Sequence, residues 1–231
     1  MRQIIALGGG GFSDGDVSLD RYILDQARCL RPRVAFVGTA SGDSDRYVAK
    51  FYAAFSQLEC RPTHLPFFQR TPELAAFVRE QDVIYVGGGN TRSMLAVWND
   101  WGFGPLLRAA WDEGVVLTGL SAGAICWFEE GVTDSSAGAL GGLRCLGLLV
   151  GSCCPHYDGE SERRPSYQRM VAEGSIAAGV AIDDGVAVHF VDQSARHIVC
   201  SAKAGNAYRV QGREGTAVET PLDIERIELA G

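Results

Sequence analysis

The stretch VVLTGLSAGAICWF, residues 115–128, decides the fold. It begins as an apolar run, crosses Gly119, carries one hydroxyl at Ser121, and leaves through Ala122 and Gly123 into a second apolar segment. Such a run suits a strand buried on both faces, and the small residues around Ser121 suit a sharp turn into a helix. Three other runs end the same way in glycine or polar residues: QIIALGGG (3–10), RVAFVGTA (33–40) and DVIYVGGG (82–89). Between them, SLDRYILDQARCL (18–30) and DSDRYVAKFYAAFSQL (43–58) carry apolar residues at helical spacing. TPELAAFVRE (71–80) opens with Thr71 as expected N-cap and Pro72 at the first helical position. RPTHLPFF (61–68) reads as a further strand, with His64 an ordinary residue near its end. The alternation predicts a three-layer, doubly wound, mostly parallel α/β sheet. Beyond residue 180 the helical spacing stops, and the turn-rich segments there read as antiparallel strands closing the sheet edge or forming a flanking ribbon. No linker, repeat or low-complexity segment interrupts the chain, so one α/β domain over 1–231 is expected.

Composition narrows the function. At 231 residues and 46% hydrophobic content the chain can bury a full core. A net charge of −7 disfavours nucleic acid or an anionic membrane as partner, because either requires a basic face. A small peptide or other small molecule fits better. Lys50 and Lys203 are the only lysines, so arginine supplies nearly all the positive charge, with the planar fork that suits carboxylates. The N-terminal apolar run is too short for a secretory segment or a membrane span, and a cytoplasmic location is expected. Seven cysteines without C-x-x-C spacing read as buried thiols. Cys153 and Cys154 beside His156 are the one arrangement that suggests a metal, but neighbours on an extended chain face opposite ways, so no metal or cofactor is expected.

In an open α/β sheet, ligands bind beyond the carboxyl ends of the strands. GLSAG (119–123) fits G-x-S-x-G, in which a tight strand-to-helix turn lifts a serine above the sheet; a helix-capping serine is the plainer alternative. A serine nucleophile needs a base, and the base an orienting acid. Of the four histidines, His156 in the loop GSCCPHYDGE is the best placed, while His189 and His197 sit in the strand-like tail. Asp184, at a strand end in AIDDG, is the leading acid, with Asp134 and Asp158 as rivals. YVGGGNT (85–91) offers glycine amides where Asn90 or Thr91 caps a helix; it lacks a dinucleotide or Walker pattern, and backbone donation to an oxyanion is the better use.

Taken together, YVGGGNT, GLSAGA, PHYDGE and AIDDG, in that order, resemble the peptidase E family of aspartyl dipeptidases, with the cyanophycinases as more distant relatives. The resemblance implies a fold akin to class I glutamine amidotransferases, with serine in place of their cysteine. It makes Ser121 the nucleophile and His156 the base. It places the oxyanion hole at the Gly88 and Ala122 amides, and substrate binding at Gly89 and Asn90. The family's third member is a glutamate in Pro-Glu-Gly; the matching place reads Asp183-Asp184-Gly185, so Asp184 is one carbon shorter and Asp134 stays its competitor. An N-terminal aspartate would need a cation, for which Arg163, Arg164 and Arg169 in ESERRPSYQRM are candidates, although a solvated helix face is their ordinary fate. The expected activity is a serine exopeptidase acting on dipeptides or short peptides, with association into a homo-oligomer open. An α/β-hydrolase esterase using Asp134 with His189 or His197, and a non-catalytic binding module, are the alternatives.

Overall fold

The computed structural model describes residues 1–201 and 205–229; Lys203, inside a stretch read as extended, lies outside the described residues. The four apolar runs and the further strand read in RPTHLPFF form five parallel strands, β1 (Gln3–Leu7), β2 (Arg33–Val37), β3 (Arg61–His64), β4 (Val83–Val86) and β5 (Val116–Leu120). They are ordered β1-β5-β4-β2-β3, with β1 continuing into β10 (Val186–Val191), β11 (Ser194–Cys200) and β14 (Glu225–Glu228). Alternation along each strand divides its residues between two cores. Ile4, Ala6, Ile84 and Val86 join one cluster, and Ile5, Leu7, Val83 and Tyr85 the other.

Helices α1 (Ser18–Asp25) and α2 (Asp45–Phe55) cover the second cluster with Leu19, Ile23, Phe51 and Phe55. On the opposite face α3 (Leu74–Arg79), α4 (Thr91–Asp100) and α5 (Phe103–Glu113) contribute Leu74, Met94, Trp98, Leu107 and Trp111. This is the expected three-layer arrangement. One boundary differs: α3 is capped by Glu73, not Thr71, because the Glu73 carboxylate accepts the amides of Ala75 at 3.0 Å and Ala76 at 2.6 Å. No described helix is long and apolar enough to cross a membrane.

The C-terminal reading is corrected in part. Strand β10 is antiparallel to β1 and β11 to β10, but β14 runs parallel to β11. The other extended segments build a second sheet, ordered β13 (Thr216–Pro221), β12 (Ala207–Arg213), β9 (Gly179–Ile182), β8 (Leu149–Cys154), β6 (Phe128–Thr133) and β7 (Gly141–Arg144). It shares the first cluster through Phe128, Leu149, Cys153, Val180 and Ile182. Its other face packs on α7 (Arg163–Ala172) through Val132, Ala181, Tyr167 and Met170. A short helix, α6 (Ala122–Ile125), joins β5 to this second sheet.

Candidate active site

Adjacent strands β4, β5 and β1 end together, so Gly87–Asn90, Ser121 and Gly8–Gly11 share one rim. Ser121 has φ +54° and ψ −114°, a backbone state costly for any residue with a Cβ. The two glycines of G-x-S-x-G are required by close approach to β4. A Cβ on Gly119 would lie 2.4 Å from the Val86 carbonyl oxygen, and one on Gly123 would lie 2.1 Å from it. The motif is therefore an elbow that presses against the neighbouring strand and turns the serine outward. Gly88 faces it: a Cβ there would sit 3.3 Å from Ser121 Cβ. Ala122 is the first residue of α6, where an amide has no intrahelical acceptor.

His156 and Asp184 come from the second sheet. Strands β8 and β9 run parallel with Cys154 opposite Ala181, so their exit loops emerge side by side. There His156 Nδ1–H donates to Asp184 Oδ1 at 2.7 Å, leaving Nε2 for another partner. Asp184 is in turn held by its own amide, which donates to Asp158 Oδ1 at 2.8 Å. Asp183 faces elsewhere: it is buried, accepts the Asn206 amide at 2.7 Å, and burial raises its pKa. Of the three candidate acids, Asp184 alone sits on the imidazole, while Asp158 braces its backbone. Among the described residues no hydrogen bond joins Ser121 Oγ to His156; nucleophile–base bonds of this kind often tighten only in the Michaelis complex.

Beside Ser121 lies a cleft of about 240 Å³ walled by Gly89, Asn90, Ser121, Asp134, Ser135, Glu160 and Arg163. Asn90 caps α4 by accepting the Ser93 amide at 2.9 Å, and its Nδ2 donates to the Ser135 carbonyl at 3.1 Å. It thus ties α4 to the chain leaving β6. The three arginines separate. Arg163 is buried, contrary to a solvated helix face, with Nε on Glu160 at 2.7 Å, Nη1 on the Val132 carbonyl at 3.1 Å and Nη2 4.0 Å from Asp134. Arg164 lies over the rings of Tyr157 and Tyr208, at 4.7 and 5.0 Å, and pairs with Glu219. Arg169 is exposed in the last turn of α7. Of the three, Arg163 lines the cleft and Arg164 and Arg169 do not.

The esterase arrangement is also corrected. His189 pairs with Ile5 in mid-strand, and its ring is bonded to Tyr22 Oη at 2.8 Å and Gln3 Oε1 at 3.0 Å. His197 meets Glu225 at the sheet edge, and Asp134 meets Arg163, so these groups form no triad with Ser121. His64 ends β3, bonded to Tyr52. Burial pushes the Cys154 thiol up to about 12 and also raises that of Cys153, which opposes the thiolate form a metal needs. Among the described residues no group of three His, Cys, Asp or Glu is arranged to hold a metal. Sequence reasoning passed over Glu160, Ser135 and Tyr47; the Tyr47 hydroxyl accepts the Gly88 amide at 3.4 Å. Glu160 was legible only as the last residue of PHYDGE, and Tyr47, on α2, carried no local signal.

The model of peptidase family S51 matches residues 4–198. The uncharacterized peptidase YgaJ of Bacillus subtilis (strain 168) is 52% identical over 228 residues, 97% of this chain and 99% of that protein. Among solved structures, a peptidase from an acI-B1 Actinobacterium superposes with a TM-score of 0.74 at 14% identity, covering 97% of this chain and 95% of its own. A candidate peptidase E protein from Listeria monocytogenes EGD-e gives 0.60 at 21% identity, covering 96% and 100%. These two likenesses bear on the fold alone. Through a family match that runs from β1 into β11, and a relative sharing about half its residues along nearly the whole length, the chain belongs to peptidase family S51.

Proposed function

We propose that this peptidase is a serine exopeptidase acting on dipeptides or short peptides through an acyl-enzyme. The observation that carries the reading is the His156 Nδ1–Asp184 Oδ1 hydrogen bond beside a serine held in a strained elbow. Ser121 Oγ attacks the scissile carbonyl while His156 Nε2 takes its proton, and Asp184 keeps the imidazole in the tautomer that allows this. The Gly88 and Ala122 amides receive the oxyanion, for which the Gly88 amide exchanges its 3.4 Å contact with the Tyr47 hydroxyl. His156 then passes the proton to the leaving amine, and water releases the acyl group from Ser121.

The cleft carries the N-terminal residue of the peptide, with Gly89 and Asn90 along its wall. Among the described residues Arg163 is the one cation lining it for an N-terminal aspartate, and Glu160 and Asp134 already compete for it. Aspartyl peptides are therefore expected to be cut no faster than alanyl ones by the wild type, and selectively faster by Glu160→Gln, which frees the guanidinium. Seven free thiols, most of them buried, favour a cytoplasmic setting.

The test is amine release from dipeptides with Asp, Glu, Asn, Ala and Leu first, with a chelator present, by the wild type and by Ser121→Ala. Cleavage by the wild type alone supports the serine mechanism. Full activity in Ser121→Ala overturns it, and absence of any cleavage moves the binding-module reading forward. A strict aspartyl preference in the wild type overturns the argument about Arg163.

A further inference from the structure

The glycine run Gly8–Gly11 has no role in the chemistry above, yet with Leu7 before it the run lies against the chain at Ser121, His156 and Asp184. Three consecutive carbonyls leaving β1 accept from the three elements in turn. Leu7 O takes the Ser121 amide at 3.4 Å, Gly8 O takes the His156 amide at 3.2 Å, and Gly9 O takes the Gly185 amide at 3.2 Å. The first sheet thereby sets the spacing of loops that belong to the second. Gly9 also forms an isolated parallel bridge with Asp184.

Two glycines then enclose the acid. A Cβ on Gly9 would lie 2.0 Å from Asp184 Oδ1 and 2.9 Å from the His156 ring, and a Cβ on Gly159 would lie 2.0 Å from Asp184 Oδ2. Neither glycine has a positive φ, so backbone conformation does not explain the missing side chains; close approach to the carboxylate does. The groups that a methyl would strike are side chains. At Gly8 the same methyl would strike the Asp183 carbonyl oxygen at 2.1 Å, which is main chain.

We infer that Gly9 and Gly159 are positioning residues that close the main chain around the Asp184 carboxylate and hold it against His156. This rests on the assignment of Asp184 as the orienting acid. It also accounts for how an aspartate serves where the peptidase E pattern has the longer glutamate: the backbone comes to the acid. An added methyl at either glycine displaces the carboxylate and leaves the strands intact.

The experiment follows the His156 Nδ1–H proton by low-temperature ¹H and ¹⁵N-histidine NMR, together with kcat, KM and thermal midpoint. The variants are Gly9→Ala, Gly159→Ala and the control Gly141→Ala, a β7 glycine where an added Cβ meets no described residue within 4 Å beyond its chain neighbours. The wild type and the control should show the low-field proton. Gly159→Ala, on an exposed turn, should keep its thermal midpoint, lose that resonance and lose about 100-fold in kcat with KM little changed. Gly9→Ala should behave alike; if it fails to fold, Gly159→Ala decides alone. Retention of the resonance and of wild-type kcat in Gly159→Ala overturns the inference. Absence of the resonance in the wild type overturns the pairing of His156 with Asp184 and the inference with it. Loss of the resonance in Gly159→Ala alongside full activity in Ser121→Ala supports the positioning role while refuting the serine mechanism.

Discussion

Replacing Ser121 with glycine should stabilise the protein relative to Ser121→Ala. Both substitutions remove the hydroxyl, but alanine keeps the Cβ that makes φ +54°, ψ −114° unfavourable. Such a conformation costs about 1–3 kcal/mol. Glycine relieves it and in exchange gives the unfolded chain more freedom, a loss of about 0.4–1 kcal/mol. The net gain for glycine over alanine is about 0.5–2 kcal/mol, or about 1–8 °C for a chain of this size. Urea unfolding of the two variants under identical conditions reads the difference directly, and neither is expected to turn over substrate. If Ser121→Gly is the less stable by the ordinary glycine penalty, no strain is stored at the elbow and the nucleophile argument loses its structural basis.

Asp184→Asn should lower kcat by about 10,000-fold with a small change in KM, because the amide would present an N–H to Nδ1 and favour the wrong tautomer; a loss under tenfold in steady-state kinetics would refute the role. Two buried groups should oppose each other in the pH dependence of stability. Burial raises the pKa of Asp20 to about 7, so its contribution is largest below the unfolded value near 4 and is lost as pH rises towards 7. Burial, followed by the charge of His197, lowers that of His189 to about 4, so its contribution is present above about 6.5 and is lost as pH falls towards 4. Between about pH 4 and 6.5 the slopes, each about 1.4 kcal/mol per pH unit, cancel. Relative to the wild type, Asp20→Asn should gain stability with rising pH across this window and His189→Gln should lose it; a pH-independent difference in urea unfolding would refute the assignment.

The main sheet was legible because its information is local. In Gln3–Leu7 and Val83–Val86 every position is apolar or buried, since helices cover both faces. The elbow was legible for the same reason: Gly119, Ser121 and Gly123 meet a backbone requirement within five residues. The second sheet was missed because β6 and β8, FEEGVT and LVGSCC, mix charge, glycine and thiol and carry no clear period. Helix α7 misled in another way. Its stripe of arginines reads as a solvated face, yet Arg163 is buried, because Glu160 and the Val132 carbonyl satisfy its guanidinium.

The amino-acid sequence by itself determined the buried strands, the serine turn and the histidine-bearing loop, all consequences of periodicity and turn chemistry over a few residues. Tertiary structure alone decided which of Asp134, Asp158 and Asp184 meets His156, and which arginine faces the cleft. The chosen acid lies 28 residues from its histidine, and their meeting depends on the parallel register of β8 with β9 and on the carbonyls leaving β1. Pairing between distant strands is an energetic property of the assembled sheets, so it leaves no mark on the residues taken in order.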